Sequence, residues 1–441
     1  MTFQTMIKTV AAGLLALTAT LGCSINSSRA PDASLSSTGA ESRTRGVGPG
    51  VKVAILLPLT GQGNAQQIAK ALKQAGELAL FDFDNPNVQI ASKDTRGTPE
   101  GAQAAARDAI REGAELIIGP LFANEVAAVA PEAKRAGVPV IAFSSDQKVA
   151  GDGVYLLSFL AGGDVPRIVS YAASRGIKRY ATLTPQTDYG RIVEQVFTRA
   201  VRESGGQIIA SQQYPPDANG MLEPVKQIAA LAKKGEPAQI DAIFMPAATD
   251  TLPFLAPLMP YYSVDTANVK LLGTSGWDFP SAGKEQSLLG AWYAAPDPKG
   301  WQDFTRRYVE TYSDVPPRLA SLAYDAVSLA VSLSGNPPGR RFSPQELTRA
   351  SGFAGVDGLF RLRPDGGVER GLAVLEVQRY GAQIADPAPD RQLWRQIRRQ
   401  HHHREHVGAP ALLHAGQWPG DQIRRRRRTR RLHLVGPTPG D

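Results

Sequence analysis

The sequence predicts an α/β protein of two lobes, each a parallel sheet flanked by helices. Three observations carry that prediction. Short continuous apolar runs alternate with amphipathic helical segments from residue 51 to about residue 272, which is the pattern of parallel strands covered on both faces by helices. The alternation runs through once, breaks near Gly162-Gly163, and restarts. Beyond about residue 301 it gives way to two helices in succession and then to short strands. The chain is therefore expected to return to the first lobe and to end on the second.

The first strand, residues 51–57, opens VKVAILLPLTGQGN and stops at Pro58, Gly61 and Gly63. An apolar run bounded by turn residues reads as a buried strand. Residues 65–83 follow as a helix, with Ile68, Leu72, Ala75, Leu78 and Ala79 on one face. Ligands of open α/β sheets sit beyond the carboxyl ends of the strands, so Thr60, Gln62 and Asn64 are the first site candidates. Further strands are expected at 88–91, 116–118, 138–143 and 155–159, with helices at 100–111 and 124–135. Thr98 and Pro99 supply an N-cap and a first-turn proline for the former helix. In the second series Asp164 caps a helix to 174, and Tyr189-Gly190 opens one to 202. Helices at 222–233 and, interrupted by proline, 251–258 lie among strands at 180–183, 208–211, 242–245 and 269–272. Helices at 301–312 and 319–333 come next, then strands at 353–360 and 372–380 joined by an Asp365-Gly366-Gly367 turn.

Charge is unevenly placed. The 441 residues carry a formal net charge of +8, but residues 385–441 hold 12 Arg, no Lys and 5 acidic residues. All 6 His lie in that segment too, so the body is near neutral and lacks histidine. That removes the commonest general base and the commonest zinc ligand. The chain has 1 Cys, so no disulfide framework and no CxxC site. No cofactor and no metal site are expected. Gly61-Gln62-Gly63 lacks the rest of a dinucleotide fingerprint, and the chain does not read as an enzyme.

Residues 1–23 read as an export signal: Lys8, an apolar stretch over 10–21 too short to span a bilayer, then Thr20-Leu21-Gly22-Cys23. Small residues before a sole Cys resemble a bacterial lipoprotein cleavage site, with Leu21 one position nearer Cys23 than is usual. The alternative is a plain signal peptide cleaved nearby. The resemblance implies a lipid on Cys23, and Ser24 after it implies sorting to the outer membrane. Residues 24–50, rich in Ser, Gly, Ala, Thr and Arg, read as a flexible tether of about 30 Å reach.

Taken together, VKVAILLPLTGQG, KDTRGTPEGAQAAARDAIREGAELIIGP (93–120), APEAKRAGVPVIAFSS (130–145), DYGR (188–191) and SLAYDAVSLA (321–330) resemble the type I periplasmic binding-protein fold, in its leucine/amide-binding group. The resemblance covers 51–389. It implies two lobes joined by three crossovers, with a cleft that closes on a ligand by hinge motion. Lobe 1 is assigned 51–162, completed by about 285–345, and lobe 2 is assigned 163–284, completed by about 346–389. Amino-acid binders of this group hold the substrate carboxylate with hydroxyls and backbone N–H groups in the loops after the third and fourth strands. Here those loops offer Phe122 and Ala123, then Ser144, Ser145 and Asp146. Asp146 would repel a substrate carboxylate; alternatively it caps the next segment. Tyr189 matches a cleft-facing tyrosine or packs at its helix start. Ala247 and Trp277 complete the cleft candidates, and Trp277 and Trp292 read equally as core.

The Pro58 to Gln62 turn, the lipoprotein site and the tether resemble the carboxy-terminal domain of penicillin-binding-protein activators. The leading expectation is therefore an envelope lipoprotein that activates a peptidoglycan synthase. The alternative is the substrate-binding protein of an ABC transporter, with a permease partner and an amino acid, amide or similar small ligand. The membrane is met through a lipid anchor only, and no nucleic-acid partner is expected. Residues 390–441, with His401-His402-His403 and the arginine run 424–428, change character completely. They are expected to be disordered and to arise from a shifted reading frame, which resequencing that end of the gene would test.

Overall fold

The computed structural model describes residues 50–387 apart from 84–86, 216, 218 and 280. Cys23, the tether up to residue 49 and the tail lie outside the described residues. The first lobe opens with β1 (Val51–Leu57), α1 (Asn64–Phe83), β2 (Val88–Asp94), α2 (Pro99–Arg111), β3 (Leu116–Ile118), α3 (Ala123–Ala136), β4 (Val140–Ala142) and β5 (Val154–Leu156). These five strands pair in parallel in the order β2-β1-β3-β4-β5. β1 is an interior strand between β2 and β3 and is buried on both faces after Lys52, which is why its sequence from Val53 is continuously apolar rather than alternating.

The chain then crosses over 157–164 and builds the second lobe. Its elements are α4 (Val165–Ser174), β6 (Arg179–Pro185), α5 (Asp188–Glu203), β7 (Gln207–Tyr214), α6 (Leu222–Ala229), β8 (Ala242–Phe244), α7 (Leu252–Leu255), α8 (Leu258–Tyr261), β9 (Lys270–Gly273) and β10 (Trp292–Ala295). A second crossover at 296–297 returns the chain to the first lobe. There α9 (Pro298–Tyr312), α10 (Ala320–Leu333), α11 (Pro344–Leu347), β11 (Phe353–Gly355), β12 (Gly358–Leu362) and β13 (Val368–Arg370) follow. A third crossover at 371–372 leads to β14 (Ala373–Gln378) and β15 (Gly381–Asp386). The second sheet has the order β15-β14-β10-β9-β8-β6-β7, with β14 antiparallel to β10.

Helix α10 is buried almost all round, as a helix clamped in a core must be. It packs on α1 where Gly76 stands; a Cβ there would meet Ile55 Cδ1 at 3.1 Å and Val327 Cγ2 at 3.3 Å.

Several expected boundaries differ. Strand β10, expected within the part that completes lobe 1, belongs to the second sheet. Phe353, Val356, Phe360 and Leu362, expected to complete lobe 2, are buried in the lobe 1 core; only β14 and β15 complete lobe 2. The Asp365-Gly366-Gly367 turn joins β12 to β13 instead of linking 353–360 to 372–380. It closes through Gly366 N–H to Arg363 O at 2.9 Å, and Gly366 has a φ of 84°, a conformation that glycine adopts without strain. The proline-interrupted helix at 251–258 is two four-residue helices, α7 and α8. Among the described residues, no helix is long and apolar enough to cross a membrane.

Candidate functional site

Because the strands of the two large sheets, apart from β14 and β15, pair in parallel, each of those sheets gathers its carboxyl-end loops along one edge, while β11, β12 and β13 form a separate antiparallel sheet. The crossovers leave from the carboxyl ends of β5 and β10, and the third enters where Ala373 pairs with Ala295. Both loop-bearing edges therefore border the hinge, and the candidate residues divide between them.

On the first edge, Thr60 donates its hydroxyl to Asp94 Oδ2 at 2.6 Å and its N–H to Oδ1 at 3.2 Å. Burial alone would raise the Asp94 pKa; the hydroxyl of Thr60 and the N–H groups of Arg96, Thr60 and Leu59 outweigh it and hold the carboxyl below its usual range. Thr60 thus ties the loops after β1 and β2 together. Gln62 and Asn64 are exposed beside it. Gly63 takes a φ of 59°, so the glycine-rich turn does the steric work its sequence suggests.

Phe122 occupies the N-cap position of α3 and is 36% exposed, with Ala123 half-buried after it. The residue that organises this loop is not among the sequence candidates. Glu125, completely buried, accepts the Thr95 hydroxyl at 2.5 Å and the Phe122 N–H at 3.3 Å, and also bonds the Leu121 backbone. Burial pushes its carboxyl above the usual range against those hydrogen bonds. A glutamate at the third helical position reaching back to the N-cap N–H is half of a capping box, and that spacing is the signal by which sequence could have found it. In the next loop, buried Ser144 accepts the Asp146 N–H at 3.2 Å, and Asp146 Oδ1 accepts the Lys148 N–H at 3.0 Å. Asp146 therefore caps the short 3-10 turn Gln147–Val149. Ser145 is exposed.

On the second edge, Thr187 caps α5 by accepting the Gly190 N–H at 3.1 Å. This places half-buried Tyr189 with its hydroxyl 3.3 Å from Thr274 Oγ1. Burial pushes the Tyr189 phenol up to about 12, so it is a neutral hydrogen-bonding group near neutral pH. Asp164 stands at the N-cap of α4, as expected, but its carboxylate turns away to accept the Ser275 N–H at 2.6 Å. Burial raises its pKa.

Two cleft candidates are corrected. Ala247 is 1% exposed and Trp277 is 0% exposed, both within the lobe 2 core. Neither presents side-chain surface to a ligand in this structure. Trp277 lies against Gly273, where a Cβ would stand 2.2 Å from the indole.

The structure thus brings Thr60, Gln62, Asn64, Phe122, Ala123, Ser144, Ser145 and Asp146 to one edge and Tyr189 to the other. No group of three or more His, Cys, Asp or Glu able to hold a metal occurs among the described residues. A cavity of about 550 Å³ lies away from both edges, between the end of α3 and residues 339–344. Its charges pair with one another, Arg341 with Glu115 at 2.9 Å and Lys134 with Asp152 at 2.8 Å, and it stands at the amino ends of β3, β4 and β5, opposite the crossovers.

Comparison with known proteins agrees with this architecture. Residues 50–382 match the family described as periplasmic binding protein. A putative branched-chain amino acid ABC transporter protein from Rhodospirillum rubrum superposes with a TM-score of 0.66 at 17% identity, covering 76% of this chain and 99% of that one. Leu/Ile/Val-binding protein homolog 6 of Brucella melitensis is 22% identical over 214 residues, 46% of this chain and 53% of its own. An uncharacterized protein of Rickettsia prowazekii is 24% identical over 179 residues, 40% of this chain and 47% of its own. The chain thus spans about half the length of the curated relatives it matches.

Proposed function

The chain belongs to the periplasmic binding protein family, and from that membership we propose that it is the non-enzymatic receptor of an ABC importer, which holds a small molecule between its lobes and presents it to a permease. The likeness to the putative branched-chain amino acid ABC transporter protein of Rhodospirillum rubrum supports this reading over the synthase activator. The observation that carries the ligand class is the state of the first edge. In amino-acid binders the loops after the third and fourth strands give their N–H groups and hydroxyls to a substrate carboxylate. Here Glu125 takes the Phe122 N–H, and Ser144 takes the Asp146 N–H. A ligand carboxylate would compete with a buried carboxylate already in place. The ligand is therefore an uncharged or cationic molecule, such as a short amide, met by Gln62, Asn64 and Ser145 on one side and Tyr189 on the other.

The same observation favours a second reading, in which the cleft holds no metabolite and the protein acts as a peptidoglycan-synthase activator. In both readings the protein works in the periplasm, held by a lipid on Cys23, with the outer membrane as its site.

A thermal-shift panel of amino acids, short amides, urea and muropeptides separates the readings. A ligand at 100 times its Kd adds about 2.7 kcal/mol. An amide response supports a receptor for uncharged ligands. Leucine or another amino acid as the sole responder would overturn that ligand class, and silence across the panel would favour the activator.

A further inference from the structure

The cavity of about 550 Å³ stands at the end of the first sheet that the ligand edge does not use. Its walls come from the residues just before β3, β4 and β5, from the end of α3, and from 339–344 between α10 and α11. That volume is ordinary for a small-molecule site.

Two side chains lining it are almost completely buried and yet keep donors unspent. Tyr155 of β5 is 5% exposed, with its ring in the lobe 1 core. Tyr308 and Tyr324 of the same core give their hydroxyls to Gln74 Oε1 at 2.7 Å and to Asp82 Oδ2 at 2.9 Å. The Tyr155 hydroxyl has no such partner among the described residues, and burial alone pushes its phenol up. Arg341 is 7% exposed. It donates from Nε to Asn336 O at 3.1 Å and from Nη1 to Glu115 Oε1 at 2.9 Å, which leaves the N–H groups of Nη2 unused. Neither the Tyr155 hydroxyl nor Arg341 Nη2 is sealed from solvent in the way the Tyr214 hydroxyl is, so the cavity is where both emerge.

The rest of the lining narrows what fits. Val138, Pro139, Phe342 and Pro344 supply apolar surface. A Cβ at Gly137, Gly153 or Gly339 would meet nothing within 4 Å, so the space before them is open. Lys134 and Asp152 pair at 2.8 Å with side chains 63% and 82% exposed. An exposed pair of this kind is worth little, so Lys134 can turn to an incoming anion. Glu115 is already balanced by Arg341. Two cations against two carboxylates leave donors for one negative charge and no excess for a phosphate or a dicarboxylate.

We propose that this cavity is a second binding site, for a small monocarboxylate with an apolar body. The carboxylate takes the Tyr155 hydroxyl and the Arg341 Nη2 donors, and the body lies against Phe342 and Pro139. Charge-assisted hydrogen bonds of this kind are the strong ones. Acetate lacks the apolar body, and leucine carries beside its carboxylate an ammonium that would face Arg341, so neither belongs to the class. The site lies in lobe 1 alone and does not depend on the receptor reading.

Isothermal titration calorimetry of the full chain with Cys23→Ser tests this, with phenylacetate as the probe and phenylacetamide as its uncharged counterpart. Phenylacetate should saturate one site with a Kd of about 1 mM or tighter. The amide should bind about tenfold more weakly or worse, because it offers a neutral acceptor. Tyr155→Phe keeps the ring in the core and removes only an oxygen that the protein does not use. Its Tm should hold while its affinity for phenylacetate falls about tenfold. Ala136→Trp, at an exposed position that lines the cavity, should fill the space and abolish binding. No saturable binding of the acid, an unchanged affinity in either variant, or an amide that binds as well as the acid would each overturn the site. A fall in Tm for Tyr155→Phe would show that the protein itself uses the hydroxyl, and would overturn it too.

Discussion

Replacing Glu125 by alanine tests whether the first edge is held by its own carboxylate. The substitution removes a completely buried group that satisfies the Thr95 hydroxyl and the Phe122 N–H. Thr95 is itself fully buried, and although its oxygen would still accept the Gly97 N–H at 3.3 Å, its hydroxyl proton would be left without an acceptor, at a cost of about 1–3 kcal/mol. Phe122 is partly exposed and water can reach its N–H, so that loss is closer to an ordinary lost cap, about 1 kcal/mol. Together these give a destabilisation of about 3 kcal/mol. For a body of roughly 330 residues, an unfolding entropy of ~2.1 cal/mol/K per residue converts this to a fall in Tm of about 4 °C. Differential scanning calorimetry at pH 7 reads it directly. Glu125→Gln should cost less, because the amide oxygen can still accept one of the bonds. The binding arm of the same experiment is sharper. With the carboxylate gone, leucine or acetate should stabilise Glu125→Ala and leave the parent unmoved. A drop in Tm below about 1 °C, or no new response to carboxylates, would show that Glu125 does not guard that loop.

Two further outcomes follow from burial. Burial pushes the Asp325 carboxyl up to about 8, Asp357 adds to the rise, and Arg370 opposes it. The folded protein thus keeps a proton that the unfolded chain releases near its ordinary value of ~3.9, so this group's contribution to stability is full at low pH and is lost as pH rises through that window, by at most about 1.4 kcal/mol per pH unit. Buried Glu125 and Asp164 contribute with the same sign. Asp325→Asn should flatten the decline seen in urea unfolding between about pH 5 and 8, and an unchanged slope would mean that Asp325 titrates as an ordinary carboxylate. Trp277→Phe should leave a void in the lobe 2 core and cost about 2–3 kcal/mol with ligand affinity unchanged. Lost affinity at full stability would return Trp277 to the cleft.

The parts of the fold that can be read from the sequence are those specified by local signals. Strand β1 announces itself because both of its faces are covered, and α2 because Thr98 and Pro99 mark its start. Strand β10 escapes such a reading although Ala291 to Ala295 is an apolar run between Gly290 and Pro296; a four-residue strand in a long irregular stretch carries little periodicity. The lobe to which the last strands belong is not a local property at all. β14 joins the second sheet by pairing antiparallel with β10, about eighty residues earlier, while β11 and β12 turn their apolar faces to the first core. At the site, the capping role of Asp146 is open to sequence reasoning because aspartate before a short helical turn is a common cap. Glu125 is passed over because a glutamate in a first helical turn ordinarily faces solvent, although its position three residues past the N-cap marks it as a capping residue.

The two lobes build their loop edges with the same device and use it differently. In each, a threonine caps a helix by accepting the N–H of a glycine three residues on: Thr98 with Gly101 at 3.0 Å, and Thr187 with Gly190 at 3.1 Å. In each, that glycine sits on a backbone carbonyl with no room for a Cβ, which would stand 2.2 Å from Thr95 O or 1.9 Å from Pro185 O. The shared constraint sets both helices down hard on the loop that leaves the sheet. What differs is the residue just before each glycine. Lobe 1 places Glu100 there, and lobe 2 places Tyr189 with its hydroxyl beside Thr274. On lobe 1 the carboxylates of Asp94, Glu125 and Asp146 each accept backbone N–H groups of the edge loops. Those N–H groups are thereby engaged within the protein. The second edge keeps an aromatic face and a neutral phenol. Under the receptor reading proposed above, an edge that engages these donors with its own carboxylates, facing one that offers a ring and a hydroxyl, would favour a ligand held by shape and uncharged hydrogen bonds over one held by its carboxylate.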